Sequence, residues 1–247
     1  MKKAFFLLSI ITICSCGGKM DSTIEAQRIV DNSIAVSGGE LYKTSNVSFN
    51  FRSMKYVLQI IEGQRVMKRI FGADSSQMID MVGPNGFQRF LKGGLVHVSD
   101  SMANVYSNSI NSVHYFAYLP YGLNDPAVNK KLLGEIKLEG TEYYKVKVTF
   151  DKEGGGDDYE DTFIYWFNKK NYKPDYLAYE FHTDGGGMRF RKAYNERYVN
   201  GIRFVDYDNY KTVGGNASIL KIDSLFLQNK LKPLSKIELK NIKVTRP

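Results

Sequence analysis

The chain holds two cysteines in 247 residues, Cys14 and Cys16, and none after them. From residue 17 onward it therefore has no disulfide, no thiolate nucleophile and no cysteine metal ligand. Histidine is nearly as scarce. His97, His114 and His182 are the full set, and none stands at the short spacing of a metal-binding pair. No Gly-x-Ser-x-Gly elbow, phosphate loop or dinucleotide fingerprint occurs. Gly185-Gly186-Gly187 reads as a turn, because no helical pattern follows it. Beyond the first twenty residues no apolar run approaches the roughly 20 residues needed to cross a bilayer. These absences leave no expected cofactor and no expected metal. There is also no arginine-rich block. Basic residues outnumber acidic ones 34 to 26, for a formal charge of +8, but the two signs are interspersed. That pattern fits a solvated surface, and no nucleic-acid partner is expected. With 43% hydrophobic and 24% charged residues, the chain reads as globular rather than disordered.

The N-terminus is the most specific feature present. Lys2 and Lys3 precede a short apolar run, Ala4 to Ile13, and then Ile13-Cys14-Ser15-Cys16. A basic start, an apolar stretch of roughly 7–15 residues and a small residue at the cut define a secretory signal. The tetrapeptide resembles the lipobox of bacterial lipoproteins, with an aliphatic residue at minus three and a small one before the cysteine. Cleavage before Cys14 would set Ile13 where a small side chain is wanted. A plain signal with a stray cysteine is the other alternative, but Gly17-Gly18-Lys19 continues as a tether would. The expected organisation is a signal at 1–15, a lipidated tether at 16–22 and one domain at 23–247. Cys16 is the expected lipidation site. Loss of Lys2 and Lys3 with the signal leaves a formal charge of +6. The resemblance implies three acyl chains on Cys16, and two or more chains anchor stably at ~0.8 kcal/mol per buried methylene. It implies a partner membrane in the bacterial cell envelope, the outer membrane favoured, with the body in the periplasm or at the surface.

Asp21 to Val36 has a helical apolar period, with Ser22 or Thr23 as the cap and Gly38-Gly39 as the stop. Strand signals then take over. Val47, Phe49 and Phe51 alternate with polar residues, and turns at Gly63, Pro84-Asn85-Gly86 and Gly93-Gly94 separate short strands. Ser101 to Tyr118 returns to a helical period, and a second short helical turn is expected near Ala127 to Leu133. The alternation resumes at Tyr144, Val146, Val148 and Phe150. Further strands are expected at Phe163–Phe167, Tyr176–His182, Met188–Tyr194, Tyr198–Tyr207 and Ile219–Ile222, with Ser235–Val244 last. Asn200-Gly201 is a hairpin dipeptide. Regular short strands at this spacing argue for an antiparallel meander.

Several clusters invite a functional reading. Asp157, Asp158, Glu160 and Asp161 follow three glycines, but the alternating ligand spacing of a calcium loop is missing, so a solvated hairpin tip is expected. Asp206 and Asp208 read as an outward pair. Each histidine reads as a neutral structural residue. The 17 Tyr and 15 Phe carry more weight, because alternate residues of a meander line one face. Such a face can hold an apolar ligand or be filled by the two helices.

Ala26-Gln27-Arg28-Ile29-Val30 through Gly38-Gly39, the strand Val47 to Arg52, and the pair Phe163–Asn168 and Tyr176–Phe181 around Tyr172-Lys173-Pro174 together resemble the LolA/LolB-like half-barrel proteins of bacterial envelopes. Leu119-Pro120-Tyr121-Gly122-Leu123 with Asp125-Pro126 resembles an uncharacterised family of envelope lipoproteins. The likeness implies an α+β fold, mostly antiparallel β. An incomplete barrel would wrap around the N-terminal helix and the mid-chain helical insertion, with an apolar cavity for acyl chains. The expected function is non-catalytic binding of a lipid-like or amphipathic ligand by a monomer. Alternation nominates Tyr144, Val146, Val148, Phe163, Tyr165, Phe181, Phe190 and Phe204 as lining. A surface glycan- or protein-binding module is the alternative, and a hydrolase built on His182 is a third reading. Lipidation is directly testable. A palmitate analogue should label the wild type and not Cys16→Ser; equal labelling of both would contradict the anchor.

Overall fold

The computed structural model describes residues 21–73, 76–156, 159–182, 185–214 and 217–246. The signal, Cys16, Asp157 and Asp158 lie outside the described residues.

Helix α1 (Ser22–Ser37) is capped by Asp21, whose carboxylate accepts the Thr23 N–H at 2.7 Å. The cap is thus one residue before the two hydroxyl residues expected for it, and it satisfies one of the helix's open N–H groups. Gly38 and Gly39 both donate N–H to the Ile34 carbonyl, at 3.2 and 2.9 Å. Gly38 has φ +156, and a Cβ there would stand 2.8 Å from the Tyr42 ring. Glycine therefore both ends the helix and lets α2 (Leu41–Thr44) fold back against it. That single turn is too short for periodicity to reveal.

Among the described residues fourteen strands form two seven-stranded antiparallel sheets. The first sheet runs β14-β1-β2-β3-β4-β5-β6, from β1 (Asn46–Phe51), β2 (Met54–Ile61), β3 (Gln64–Phe71), β4 (Met78–Gly83), β5 (Gly86–Leu91), β6 (Gly94–Val96) and β14 (Leu239–Thr245). The second runs β13-β12-β11-β10-β9-β8-β7, from β7 (Val128–Leu138), β8 (Thr141–Phe150), β9 (Thr162–Asn168), β10 (Pro174–Phe181), β11 (Gly187–Val199), β12 (Ile202–Lys211) and β13 (Lys232–Ile237). The architecture is α+β, mostly antiparallel, and not closed into a barrel. Glu238 alone separates β13 from β14, so the last expected strand is two, one at the edge of each sheet.

Helix α3 (Asp100–Ala117) follows the expected helical insertion and packs on β3, β4 and β5. Two other expectations fail. Ala127–Leu133 is not helical but opens β7, whose burial alternates along its length and which pairs with β8. The Lys130-Lys131-Leu132-Leu133 run fits both periods over so short a window, and pairing with β8 decides. Ile219–Ile222 is not a strand but a 3-10 turn leading into α4 (Ile222–Leu227).

The second sheet is buried on both faces. Its inner face joins Val146, Val148, Phe163, Tyr165, Phe167, Leu177 and Tyr207 to Ala26, Ile29 and Val30 of α1. Its outer face packs Ile164, Trp166, Ala178 and Phe190 against Ile222, Leu225 and Phe226 of α4. A third cluster joins Tyr42, Phe49, Tyr56, Leu58 and Phe204 with Leu239 and Val244. Asp80 is fully buried in the first sheet and accepts hydrogen bonds from Arg69 and Arg89, each at 2.6 Å at the closest. Removing the acid from such a buried group would cost about 3–5 kcal/mol, because two cations would be left unpaired.

His114 packs from α3 against Phe49, Tyr56 and Tyr118 and is 2% exposed. Burial pushes its pKa from 6.5 down to about 3. Between those values the unfolded chain binds a proton that the folded chain does not, so stability falls as pH falls through this window. The slope approaches roughly 1.4 kcal/mol per pH unit. Urea unfolding of the wild type should therefore lose more free energy between neutral pH and about pH 4 than unfolding of His114→Phe; equal losses would contradict a buried neutral imidazole.

Candidate functional site

Strand pairing decides which side chains share a face. Phe163 of β9 stands opposite Tyr179 of β10, which stands opposite Arg189 of β11. Two rungs along, Tyr165, Leu177 and Arg191 are aligned in the same way. Both rungs point to the inner face. The rung between them, Ile164, Ala178 and Phe190, points outward into the α4 cluster.

The inner rungs, α3 and the strands near the β13–β14 junction bound an open cavity of about 880 Å³. This is within the roughly 300–1,000 Å³ of small-molecule sites. Its floor is aromatic. Phe163 stacks on Tyr179 at 5.4 Å and meets Phe150 edge-on at 5.6 Å. Helix α3 supplies one wall with Ser112, Val113, Tyr115 and Phe116, and β12 to β14 supply another with Val205, Tyr207, Ile237 and Leu239. The hydroxyls of Tyr115 and Tyr165 share a hydrogen bond at 2.6 Å, which ties α3 to the sheet. Burial raises the pKa of both phenols, so they stay neutral. Gly155 lets the loop after β8 close over one end, since a Cβ there would stand 2.1 Å from the Asp151 carbonyl oxygen.

Charge enters through Arg52, Arg189, Arg191 and Asp161. Arg191 is 7% exposed. Its Nη2 donates to the Tyr179 hydroxyl at 2.9 Å, and its guanidinium lies 3.9 Å over the Phe116 ring. Its Nε has no hydrogen-bond partner. Burial lowers its pKa, yet arginine remains charged in proteins.

A family model, DUF6503, described as a family of unknown function, matches residues 78–239. The chain belongs to that family. The matched DUF6503 segment runs from β4 into β14 and contains α3 and most of the cavity wall. No curated protein matches the chain. Among solved structures, a DUF1329 family protein from Desulfovibrio piger is similar at TM-score 0.49 and 11% identity, covering 91% of this chain and 93% of that one. A LolA superfamily protein from Nitrosomonas europaea is similar at TM-score 0.48 and 11% identity, covering 89% and 91%. At these values the likeness is one of overall chain course and speaks to neither ligand nor activity.

The eight nominated lining residues separate into four groups. Phe163 and Phe181 line the cavity. Tyr165 lies on the same face, fully buried behind it and bonded to Tyr115. Tyr144, Val146 and Val148 of β8 share that face too, in the cluster that includes α1, and are not among the residues that line the cavity. Tyr144 stacks on Tyr172 at 6.1 Å, and Tyr172 in turn accepts from Arg28 of α1 at 3.1 Å. Phe190 and Phe204 do not line the cavity. Phe190 projects to the outer face, stacked 4.6 Å from Phe226, and Phe204 belongs to the cluster around Tyr42 and Phe49. Apolar residues occupy both faces of this sheet, so hydrophobicity alone does not give the parity.

Three acidic or histidine readings also change. Asp161 is not at a solvated tip but 7% exposed at the start of β9, in the cavity wall. Asp206 is not outward; it is 3% exposed and accepts from Arg197, Asn195 and the Leu239 N–H. His182 Nδ1 stands 3.6 Å from Asp161, outside hydrogen-bond range, and its side chain is 57% exposed. That is a loose rim pair, not an aligned acid–base dyad. Among the described residues no group of three His, Cys, Asp or Glu is placed to hold a metal ion, and no helix is long and apolar enough to cross a membrane. Arg189 and Arg191 escaped the sequence reading. Their signal was the alternation Met188-Arg189-Phe190-Arg191, which places the arginines together on one face and the apolar pair on the other.

Proposed function

We propose that this protein is a lipid-anchored lipoprotein of the bacterial cell envelope that binds the apolar part of a lipid-like ligand in the cavity between α3 and the second sheet. The signal at 1–15, the tether at 16–22 and the domain at 23–247 remain the proposed organisation, with lipid on Cys16 and the outer membrane as the favoured site. The observation that carries the binding reading is the cavity itself. It is of ligand size, floored by Phe163, Tyr179 and Phe150, open to solvent, and lined by no residue of α1. Burying the ligand's chain there removes apolar surface from water at roughly 25 cal/mol per Å². The role is retention or sensing rather than chemistry; the carboxylate–imidazole pair seen among the described residues of the rim, Asp161 and His182, stands 3.6 Å apart. The exposed large hydrophobics include a single aromatic, Tyr198, which weighs against a flat aromatic platform for glycans.

Ser112 lies exposed on α3 at the cavity wall, its hydroxyl donating to the Asn108 carbonyl at 2.8 Å. Ser112→Trp should obstruct the cavity without disturbing the core. Native mass spectrometry of the gently isolated full chain should show a co-purified lipid adduct that is depleted in Ser112→Trp. Absence of any adduct on the wild type, or equal occupancy in both proteins, would contradict the binding reading.

A further inference from the structure

We infer that the cavity selects anionic amphipaths, with a carboxylate or phosphate head on the Arg191 guanidinium and the chain against Phe116, Phe163 and Tyr179. This rests on the lipid-binding reading above and adds the chemistry of the headgroup to it.

Three other buried or half-buried arginines of this fold, Arg69, Arg197 and Arg203, each meet a carboxylate. Arg69 pairs with Asp80 at 2.6 Å. Arg203, 2% exposed, pairs with Glu196 and stands 3.7 Å from Asp175. Arg197 pairs with Asp206 at 2.9 Å. Each cation has a carboxylate built beside it. Arg191 is buried as deeply as Arg69, yet no Asp or Glu among the described residues forms an ion pair with it. Its partners are the Tyr179 hydroxyl and the ring faces of Phe116 and Tyr179, and its Nε donates to nothing.

A buried charge without a counter-charge is costly to a fold. The cost is offset when a bound anion supplies the missing partner. A guanidinium presents parallel N–H groups in one plane, a geometry that matches two oxygens of a carboxylate or phosphate. Arg191 lines the cavity, so those oxygens can reach it from the space where the chain would lie. The surrounding charge agrees. Arg189, two residues along the same face of β11, also lines the cavity, with its guanidinium 4.8 Å over the Phe181 ring. Arg52 stands exposed at the rim. Among the described residues of the wall Asp161 is the one acid, and it lies beside His182. An aromatic floor beside an unpaired buried cation suits a molecule that is apolar along its length and negative at one end.

The test compares ligands of one chain length that differ only at the head. Labelled palmitate, hexadecyl phosphate and hexadecanol would be bound to the full chain purified in a neutral detergent, and to Arg191→Gln and Arg191→Lys. At least one of the two anions should bind the wild type roughly ten-fold or more tightly than the alcohol, as expected for charge-assisted hydrogen bonds in a dry site. Whichever anion binds more tightly identifies a carboxylate or a phosphate head. Arg191→Gln should lose the preference while still binding hexadecanol, and Arg191→Lys should keep part of it. Equal binding of acid, phosphate and alcohol by the wild type would overturn the headgroup assignment and leave the cavity reading standing. An anion preference that survives in Arg191→Gln would overturn the role of Arg191. Failure of all three ligands to bind would overturn both readings. The wild-type comparison decides the headgroup even if a variant does not fold.

Discussion

Strand β9 buries Phe163, Tyr165 and Phe167 on one side and Ile164 and Trp166 on the other. The sheet it belongs to therefore has no face that can be left to water, and each face must be covered by something else. The short α4, with Phe226 stacked on Phe190, covers the outer face. The inner face is wider than the single helix α1 can cover. Ala26, Ile29 and Val30 join the cluster on this face, with α1 lying along β7. Beyond α1, the aromatic surface of Phe163 and Tyr179 meets only the edge of α3, through Tyr115 and Phe116. The cavity is the part of that face the helices leave uncovered.

This dependence explains why α3 is fixed so firmly. Its Ile110, His114 and Ala117 side is buried, with His114 among the rings of the first sheet. Its Tyr115 and Phe116 side reaches the second sheet. One helix thus serves two cores at once. His114 fits this place because it stays neutral. A charged imidazole among Phe49, Tyr56 and Tyr118 would carry the cost of an unpaired buried cation. Arg191 forms no ion pair with any of the described residues, which sets it apart from Arg69, Arg197 and Arg203.

Much of this was legible in the sequence, for identifiable reasons. Helix α1, helix α3 and most hairpins announce themselves through period and turn residues, as at Gly38-Gly39 and Asn200-Gly201. Chemistry was far less legible than shape. In a sheet with one wet face, alternation separates inside from outside. Here Phe163 and Phe190 are equally apolar yet point to opposite sides, and only the rungs Phe163–Tyr179–Arg189 and Ile164–Ala178–Phe190 tell them apart. Asp161 and Asp206 were placed outside because acids usually are, whereas a neighbouring arginine or cavity changes that in the folded chain. The start of β7 is ambiguous in sequence for a local reason: four residues are too few to separate a period of two from one of 3.6.

The central claim is that the uncovered inner face, and no other surface, receives the ligand's chain. A palmitate analogue carrying a photoactivatable diazirine on its chain tests this most directly, with the cross-linked peptides of the full protein mapped by mass spectrometry. The account predicts adducts on α3 around Ser112 to Phe116 and on the inward rungs of β9, β10 and β11. Adducts confined to the outer-face cluster of Phe190 and Phe226, or to the exposed edge at Leu95 and Val96, would contradict it.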